Sequence, residues 1–316
     1  MVSPQLYRRA IPAAARITRW TARDGWMLRR FDWPVQRRVR GQMLFLGGRG
    51  DIFEKYLEAF AHWHAQGWSI TSFDWRGQGG SGRLSPDPHV GHVDDFKLYV
   101  DDFRDFWAHW VTEGPGPHVV MCHSMGGHLA LRALVEGAAM PDAAVFVAPM
   151  LGLHSPLGWT LGERLASMMT ALGNPARPAW RGNEKPGATE TRQALLTHDP
   201  ERYADELFWQ SSKEELLLGP PSWRWVAEAF TSTRRLRGDS RLKTLSVPIL
   251  MLVADCDKLV SPKAAYQTAA KLPDAQIVRF GREAAHELLR EADTVRNRVI
   301  GEIDGFLSAR APERRS

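Results

Sequence analysis

Short apolar runs alternate with longer segments of helical spacing in the first and last parts of this chain. The run Met43-Leu44-Phe45-Leu46 is apolar at every position, as strands buried on both faces are. Strands are predicted over residues 41–47, 68–75, 118–122, 143–150, 247–254 and 276–280. Helices are predicted over residues 52–66, 96–112, 125–136, 262–271 and 292–307. Strands that alternate with helices indicate crossover connections, so the pattern predicts an α/β fold with a mostly parallel sheet and helices on both faces.

The middle of the chain lacks this alternation. Residues 152–241 contain no buried-strand run but several helical pieces, many tryptophans and a Pro/Gly-rich loop at 174–187. An insertion of this kind between two strands of one sheet predicts a helical cap over the carboxyl ends of the strands, where open α/β sheets bind ligands. We therefore expect a core formed by residues 1–151 and 242–316, with the cap inserted at 152–241.

Composition narrows the class of protein only slightly. The chain has 316 residues, of which 44% are hydrophobic and 24% charged, as in ordinary globular proteins. Its net charge is +5, and residues 1–50 are rich in arginine but contain only two acids, Asp24 and Asp32. This basic segment is either a solvated edge or a contact with anionic lipid head groups. No DNA- or RNA-binding motif accompanies the charge, so we expect no nucleic-acid partner.

The predicted location is the cytoplasm, with peripheral contact with a membrane left open. The two cysteines, Cys122 and Cys256, form neither a disulfide framework nor a metal-ligand spacing. Residues 1–20 lack the apolar core of a signal peptide, and no run approaches the roughly 20 apolar residues of a membrane span.

Ser124 lies at a predicted turn between a strand and a helix. The segment is Cys122-His123-Ser124-Met125-Gly126-Gly127. Such a turn exposes a serine hydroxyl and needs small residues two positions before and after it, here Cys122 and Gly126. The dipole of the following helix favours an anion beside the hydroxyl. We predict that Ser124 is a nucleophile; the alternative is a serine that caps an ordinary helix.

An acid and a histidine follow in the order that this turn requires. Asp257 comes after the strand at 247–254, and His286 comes after the strand at 276–280. A neutral histidine can take the serine proton, and a carboxylate can hold the imidazole in the right tautomer. Asp255 is the alternative acid. We expect His123, next to the serine, to point away from the site.

The glycine-rich segment Leu46-Gly47-Gly48-Arg49-Gly50-Asp51 follows the first predicted buried strand. In this arrangement the residue after the nucleophile, Met125, supplies one backbone N–H to an oxyanion, and a glycine-rich loop supplies the other. We predict Arg49 as that second donor; the alternative is a plain glycine turn. The Arg49 side chain is also a candidate for contact with an anionic group of the substrate.

A second glycine-rich segment imitates a nucleotide-binding motif. Residues 77–82 match G-x-G-x-x-G, but Pro86 and Pro88 follow where a helix would have to begin. Without a helix amino terminus to hold a pyrophosphate, no nucleotide cofactor is expected.

Several segments resemble the α/β-hydrolases, and among them bacterial lysophospholipases related to monoacylglycerol lipases. They are Phe73-Asp74-Trp75-Arg76-Gly77-Gln78-Gly79-Gly80-Ser81-Gly82-Arg83, the segment 87–93, His123-Ser124-Met125-Gly126-Gly127, Ala148-Pro149-Met150 and the segment 219–225. The resemblance spans about residues 41–307 and implies a triad of Ser124, Asp257 and His286 with oxyanion donors at Arg49 and Met125. Two departures stand out. Gly47-Gly48 replaces a usual His-Gly pair, and Cys122 replaces a glycine or alanine.

The sequence therefore predicts a serine hydrolase that cleaves carboxylic esters through an acyl-enzyme. The expected partner is a small lipid or ester, a lysophospholipid or monoacylglycerol, and no cofactor or metal is implied. The alternatives are a small-ester esterase, an aminopeptidase or an acyltransferase on the same triad, and a non-catalytic binding protein that keeps the fold. The oligomeric state is left open.

Overall fold

A computed structural model describes residues 7–154, 158–180 and 189–313 of the chain. Within these residues one eight-stranded sheet has the strand order β1-β2-β4-β3-β5-β6-β7-β8. Strands β3 to β8 are parallel to one another, whereas β1 and β2 are antiparallel to their neighbours. The strands are β1 (Arg16–Thr21), β2 (Met27–Trp33), β3 (Gly41–Leu46), β4 (Trp68–Phe73), β5 (His118–His123), β6 (Ala143–Val147), β7 (Ile249–Ala254) and β8 (Ala275–Phe280). The predicted α/β fold with a mostly parallel sheet is confirmed.

The six parallel strands are those that the apolar runs predicted, but β1 and β2 were not predicted. Strand β1 is the outer strand of the sheet, and five of its six residues are exposed. An edge strand of this kind buries little apolar surface, so it carries no continuous apolar run. Part of the arginine-rich segment 1–50 therefore forms an antiparallel hairpin at one edge of the sheet.

Both faces of strands β3 to β7 are covered, whereas only one residue of the edge strand β8 is buried. Successive residues of a strand point to opposite faces, and in β3 Leu44 and Leu46 pack in one buried cluster while Met43 and Phe45 pack in the other. The first cluster includes side chains from helices 97–110, 125–135 and 262–269. The second includes side chains from helices 57–65 and 293–310. The sheet is thus sandwiched between two layers of helices, as its unbroken apolar strands predict.

The remaining helices of the described part fall between β6 and β7. They are α4 to α7, and α4 packs against α7. The helices are α1 (Leu57–Ala65), α2 (Lys97–Trp110), α3 (Met125–Val135), α4 (Trp159–Ala171), α5 (Thr189–Leu196), α6 (Pro200–Ser212), α7 (Trp223–Gly238), α8 (Pro262–Ala269) and α9 (Asp293–Arg310). This helical segment coincides with the predicted cap, whose limits at 152 and 241 stay predictions. Half of the predicted Pro/Gly-rich loop, residues 181–187, lies outside the described residues, as do residues 1–6 and 314–316 of the predicted core.

Four loops leave the sheet at the carboxyl ends of β3, β5, β7 and β8. These loops carry the glycine-rich segment, Ser124, Asp257 and His286 respectively. Because neighbouring parallel strands end at the same edge, residues more than 200 positions apart in sequence meet there.

Candidate active site

Ser124 occupies a strained turn between β5 and α3. Its φ of 49° and ψ of −116° lie in a region that side-chain-bearing residues rarely adopt. The turn is fixed on both sides, since the Ser124 N–H donates to Val147 O and the Ser124 carbonyl accepts from the N–H of Met150. Although Ser124 precedes α3, its side chain makes no capping hydrogen bond. The helix-cap alternative therefore does not account for its hydroxyl.

The hydroxyl of Ser124 faces His286 instead. His286 Nε2 lies 2.8 Å from Ser124 Oγ, and His286 Nδ1 lies 2.5 Å from Asp257 Oδ2. The other oxygen of Asp257 accepts the backbone N–H groups of Leu259 and Val260, at 2.8 and 3.0 Å. The carboxylate is thus held in one orientation, and the three predicted side chains form one continuous hydrogen-bonded row.

Asp255, the alternative acid, lies away from this row. Its carboxylate hydrogen-bonds the hydroxyl of Tyr266 and pairs with Arg279 at 2.8 Å. Tyr266 lies on α8 and Arg279 on β8, and Asp255 has no contact with His286 among the described hydrogen bonds.

The charges around the row shift two pKa values in opposite directions. Burial favours the neutral form of Asp257, but the charge and hydrogen bond of His286 outweigh it, so the pKa of Asp257 is lowered. Burial also disfavours the imidazolium of His286, but the charge of Asp257 outweighs that effect and raises the pKa of His286. The pair therefore favours a charged carboxylate beside a basic imidazole.

The glycine-rich loop packs tightly against the turn at Ser124. A Cβ on Gly48 would lie 2.9 Å from Ser124 Cβ, and a Cβ on Gly126 would lie 2.3 Å from the Leu46 carbonyl oxygen. Only glycine allows these approaches, so the strand end, the loop and helix α3 are in direct contact. The small residue that the sequence pattern requires at position 126 has this steric cause.

The amides on both sides of Arg49 are held by side chains. The Gly48 N–H donates to Asp51 Oδ2 at 2.6 Å, and the Gly50 N–H donates to Gln78 Oε1 at 2.7 Å. These two bonds fix the peptide of Arg49 between them. The Arg49 guanidinium donates to the Gly219 carbonyl and lies over the ring of Trp225, 5.4 Å from its centroid. Its side chain thus joins the loop to the helical insertion.

The sequence did not predict the buried cluster of polar side chains around Asp51, which lies next to the row of Ser124, His286 and Asp257. Asp51 Oδ2 lies 2.6 Å from His123 Nδ1 and accepts the Tyr56 hydroxyl at 2.8 Å, and Asp51 Oδ1 accepts from Lys55 Nζ at 2.7 Å. Burial opposes the charge of Asp51, but Lys55 and His123 keep its pKa well below the ordinary value. The only sequence signal was the position of Asp51, directly after the glycine-rich loop.

The expectation that His123 points away from the site is wrong. Its ring lies 4.8 Å from the ring of His286, centroid to centroid, and lines the same pocket as Ser124. His123 is the last residue of β5, and side chains of a strand point alternately to its two faces. The side chain of His123 points to the face on which Asp51 lies.

A cavity of about 220 Å³ opens above Ser124 and His286. Its walls combine apolar side chains with three cationic ones, Arg49, Lys55 and Arg192, and with the carboxylates of Asp51 and Glu287. The apolar lining residues are Met150, Leu153, Trp180, Leu195, Leu196, Pro221, Trp225, Leu259 and Val260. Seven of these nine come from the segment between β6 and β7, so the helical insertion forms much of the wall.

The part of the chain that the structure describes has neither a membrane-spanning helix nor a metal-binding group. No helix there has both the length and the apolar character needed to cross a bilayer. No group of three or more His, Cys, Asp or Glu side chains there is arranged to hold a metal ion. Cytoplasmic location and peripheral membrane contact stay predictions.

Comparison with known proteins assigns the chain to a family. Residues 37–293 match the family described as serine aminopeptidase S33. Lysophospholipase L2 of Escherichia coli K12 is 29% identical over 280 residues, which cover 83% of this chain and 78% of the relative. Human monoglyceride lipase is 26% identical over 234 residues, which cover 70% of this chain and 72% of the relative.

Solved structures agree on the fold. A soluble variant of monoglyceride lipase from Saccharomyces cerevisiae, in complex with a substrate analog, superimposes with a TM-score of 0.77 at 19% identity. That alignment covers 95% of this chain and 97% of the other. Together with the match over residues 37–293, these likenesses confirm the resemblance that the motifs indicated. The chain belongs to the serine aminopeptidase S33 family of α/β-hydrolases.

Proposed function

We propose that this protein is a serine hydrolase that cleaves carboxylic esters through an acyl-enzyme. The observation that carries the proposal is the row of Asp257, His286 and Ser124, with 2.8 Å between His286 Nε2 and Ser124 Oγ. The names of the relatives, lysophospholipase and monoglyceride lipase, support an ester as substrate. The family description, serine aminopeptidase, keeps amide hydrolysis as the alternative.

In the proposed reaction Ser124 Oγ attacks the ester carbonyl while His286 takes its proton. The tetrahedral intermediate then collapses, and His286 returns the proton to the alcohol that leaves. Water, deprotonated by His286, attacks the acyl-enzyme in the same way and releases the fatty acid. Asp257 keeps Nδ1 of His286 protonated and stabilises the imidazolium that forms in each step.

The backbone N–H groups of Met125 and Arg49 are the proposed donors to the oxyanion. Met125 begins helix α3, so its amide belongs to the positive end of the helix dipole. The bonds from Gly48 to Asp51 and from Gly50 to Gln78 support the second donor, because they fix the loop around Arg49. Fixed donors stabilise the developing charge without reorganising during the reaction.

Lysophospholipids are the proposed substrates, and monoacylglycerols are the second candidate. The apolar lining of the cavity suits an acyl chain, and Arg49 and Arg192 line the same cavity and carry the charge that suits a phosphate. Arg49 donates to the Gly219 carbonyl and Arg192 pairs with Glu206 at 2.8 Å, so a phosphate would share these guanidinium groups with their protein partners. The relative from Escherichia coli named above, lysophospholipase L2, supports the same choice. A monoacylglycerol has the same ester but no phosphate, so the two candidates differ in what these arginines can bind.

The test compares both lipids with one acyl chain. We expect wild-type protein to hydrolyse 1-acyl-lysophosphatidylethanolamine with higher kcat/KM than the matching monoacylglycerol. Arg192→Gln should lower kcat/KM about tenfold more for the lysophospholipid than for the monoacylglycerol, because only the lysophospholipid loses a charge-assisted hydrogen bond to phosphate, whereas both feel the loss of the pair with Glu206. Arg241→Gln, at an exposed arginine outside the cavity, is the control. Equal loss for both lipids would contradict the phosphate contact, and release of amino acids from amides without ester hydrolysis would favour the peptidase.

A further inference from the structure

Lys55 is a charged side chain buried at the meeting point of three separate segments. It lies in the turn between β3 and α1, and its side chain is 1% exposed. Its ammonium nitrogen lies 2.7 Å from Asp51 Oδ1, 2.6 Å from Glu287 Oε1 and 3.1 Å from Glu206 Oε2. Burying an ion is costly unless it is paired, and Lys55 is paired with three carboxylates. Two of them have further cations as partners, since Arg290 pairs with Glu206 and Glu287, and Arg192 pairs with Glu206.

Each carboxylate belongs to a segment with its own part in the site. Asp51 holds the Gly48 N–H in the loop of the proposed oxyanion donor. Glu287 is the residue after His286, and its backbone N–H donates to the Leu196 carbonyl of the helical insertion. Glu206 lies on α6 within that insertion. Lys55 therefore connects the loop of the oxyanion donor, the loop of the proposed base and the insertion that forms the cavity wall.

Lys55 lines the cavity, but its contacts argue against a direct role with substrate. An ammonium group has three N–H donors, and the three carboxylates match them in number. Binding a phosphate would require breaking at least one of these buried pairs. Lys55 also stays charged, since the carboxylates outweigh burial and raise its pKa above the ordinary value, so it is poorly suited to proton transfer.

We propose that Lys55 is a positioning residue that holds the glycine-rich loop and the His286 loop at the spacing that acyl transfer requires. The inference rests on the proposed function, because it assigns roles to those two loops. In the ground state the substrate ester needs only the cavity, whereas the transition state needs the oxyanion donor and the base at once. Loss of Lys55 should therefore lower kcat much more than it raises KM.

The test is Lys55→Met, assayed on a p-nitrophenyl ester with active sites counted by covalent labelling with a fluorophosphonate. We expect kcat per labelled site to fall about 10- to 100-fold, as displaced oxyanion donors and misaligned groups do in other enzymes. KM should change by no more than about threefold. Counting labelled sites removes the effect of any unfolded fraction.

Arg30→Met is the matched control. Arg30 on β2 has a largely buried side chain that pairs with Asp32 and Glu113, and it does not line the cavity. The variant should lower stability without changing kcat per labelled site. If Lys55→Met does not fold, Glu287→Gln removes the charge that pairs with Lys55 and Arg290 next to His286, and it should also lower kcat per labelled site.

Two results would overturn the inference: an unchanged kcat per labelled site, which makes Lys55 merely structural, or a raised KM at constant kcat, which makes it a substrate ligand. Failure of the proposed function looks different. In that case the wild-type protein itself neither reacts with the fluorophosphonate nor hydrolyses esters.

Discussion

Replacing Gly126 by alanine should damage the site through the backbone alone. Gly126 is the second residue of α3, and a Cβ there would lie 2.3 Å from the carbonyl oxygen of Leu46 and 2.5 Å from that of Gly47. Real Cβ contacts essentially never fall below 3.0 Å, so the backbones must separate by about 0.7 Å. Neither neighbour is a flexible side chain that could move aside cheaply.

The displacement acts on the proposed oxyanion donors. Leu46 ends β3 and Gly47 begins the loop that carries Arg49, while Gly126 follows Met125. A misplacement of about 1 Å can cost about 100-fold in rate, so a shift of this size should lower kcat/KM by roughly 10- to 100-fold. Overpacking of a tight site should also lower the free energy of unfolding by about 1–3 kcal/mol.

The assay combines hydrolysis of p-nitrophenyl butyrate with unfolding in guanidinium chloride. Gly305→Ala is the matched control, because Gly305 lies in α9 and a Cβ there meets nothing within 4 Å. That variant should keep its kcat/KM and gain about 0.5–1 kcal/mol of stability, since alanine favours a helix more than glycine does. A Gly126→Ala variant with wild-type kcat/KM and stability would refute the steric reasoning.

Two further predictions concern the groups that pair with Ser124. His286 acts as a base only when neutral, and its pKa is raised above the ordinary value of 6.5, so kcat/KM should fall with decreasing pH at a midpoint above 6.5. A pH profile of kcat/KM checks this. In Asp257→Asn the carboxylate no longer opposes the effect of burial on His286, so the midpoint of the residual activity should lie at lower pH. A midpoint that does not move would contradict the assignment of His286 as the base. Asp257→Asn should also lower kcat by about 10⁴-fold, whereas Asp255→Asn, whose partners are Tyr266 and Arg279, should stay within about twofold. Steady-state kinetics decide between the two acids, and a larger loss for Asp255→Asn would reverse the choice.

Strands β3 to β7 could be predicted because they are buried on both faces. Leu44 and Phe45 point to opposite faces, yet both are fully buried, so the sequence shows a run that only such a strand produces. Strands β1 and β2 lack this signal. They are stabilised by antiparallel pairing at the edge of the sheet, and the exposed residues of β1 do not distinguish a strand from a loop.

The row of Ser124, Asp257 and His286 could be proposed from order alone, because each residue follows a predicted buried strand at one edge of the sheet. The buried polar contacts of Asp51 with Lys55, Tyr56 and His123, next to this row, could not be predicted. Lys55 lies in a segment of helical spacing, where a lysine normally faces solvent. Its burial depends on carboxylates at positions 51, 206 and 287, which come together only in the folded chain.

Labelling of the folded protein by a fluorophosphonate tests the central claim most directly. Intact mass should increase by one adduct per chain, peptide mapping should place the adduct on Ser124, and Ser124→Ala should remain unlabelled. A folded wild-type protein that stays unmodified, or an adduct on another residue that persists in Ser124→Ala, would contradict the account.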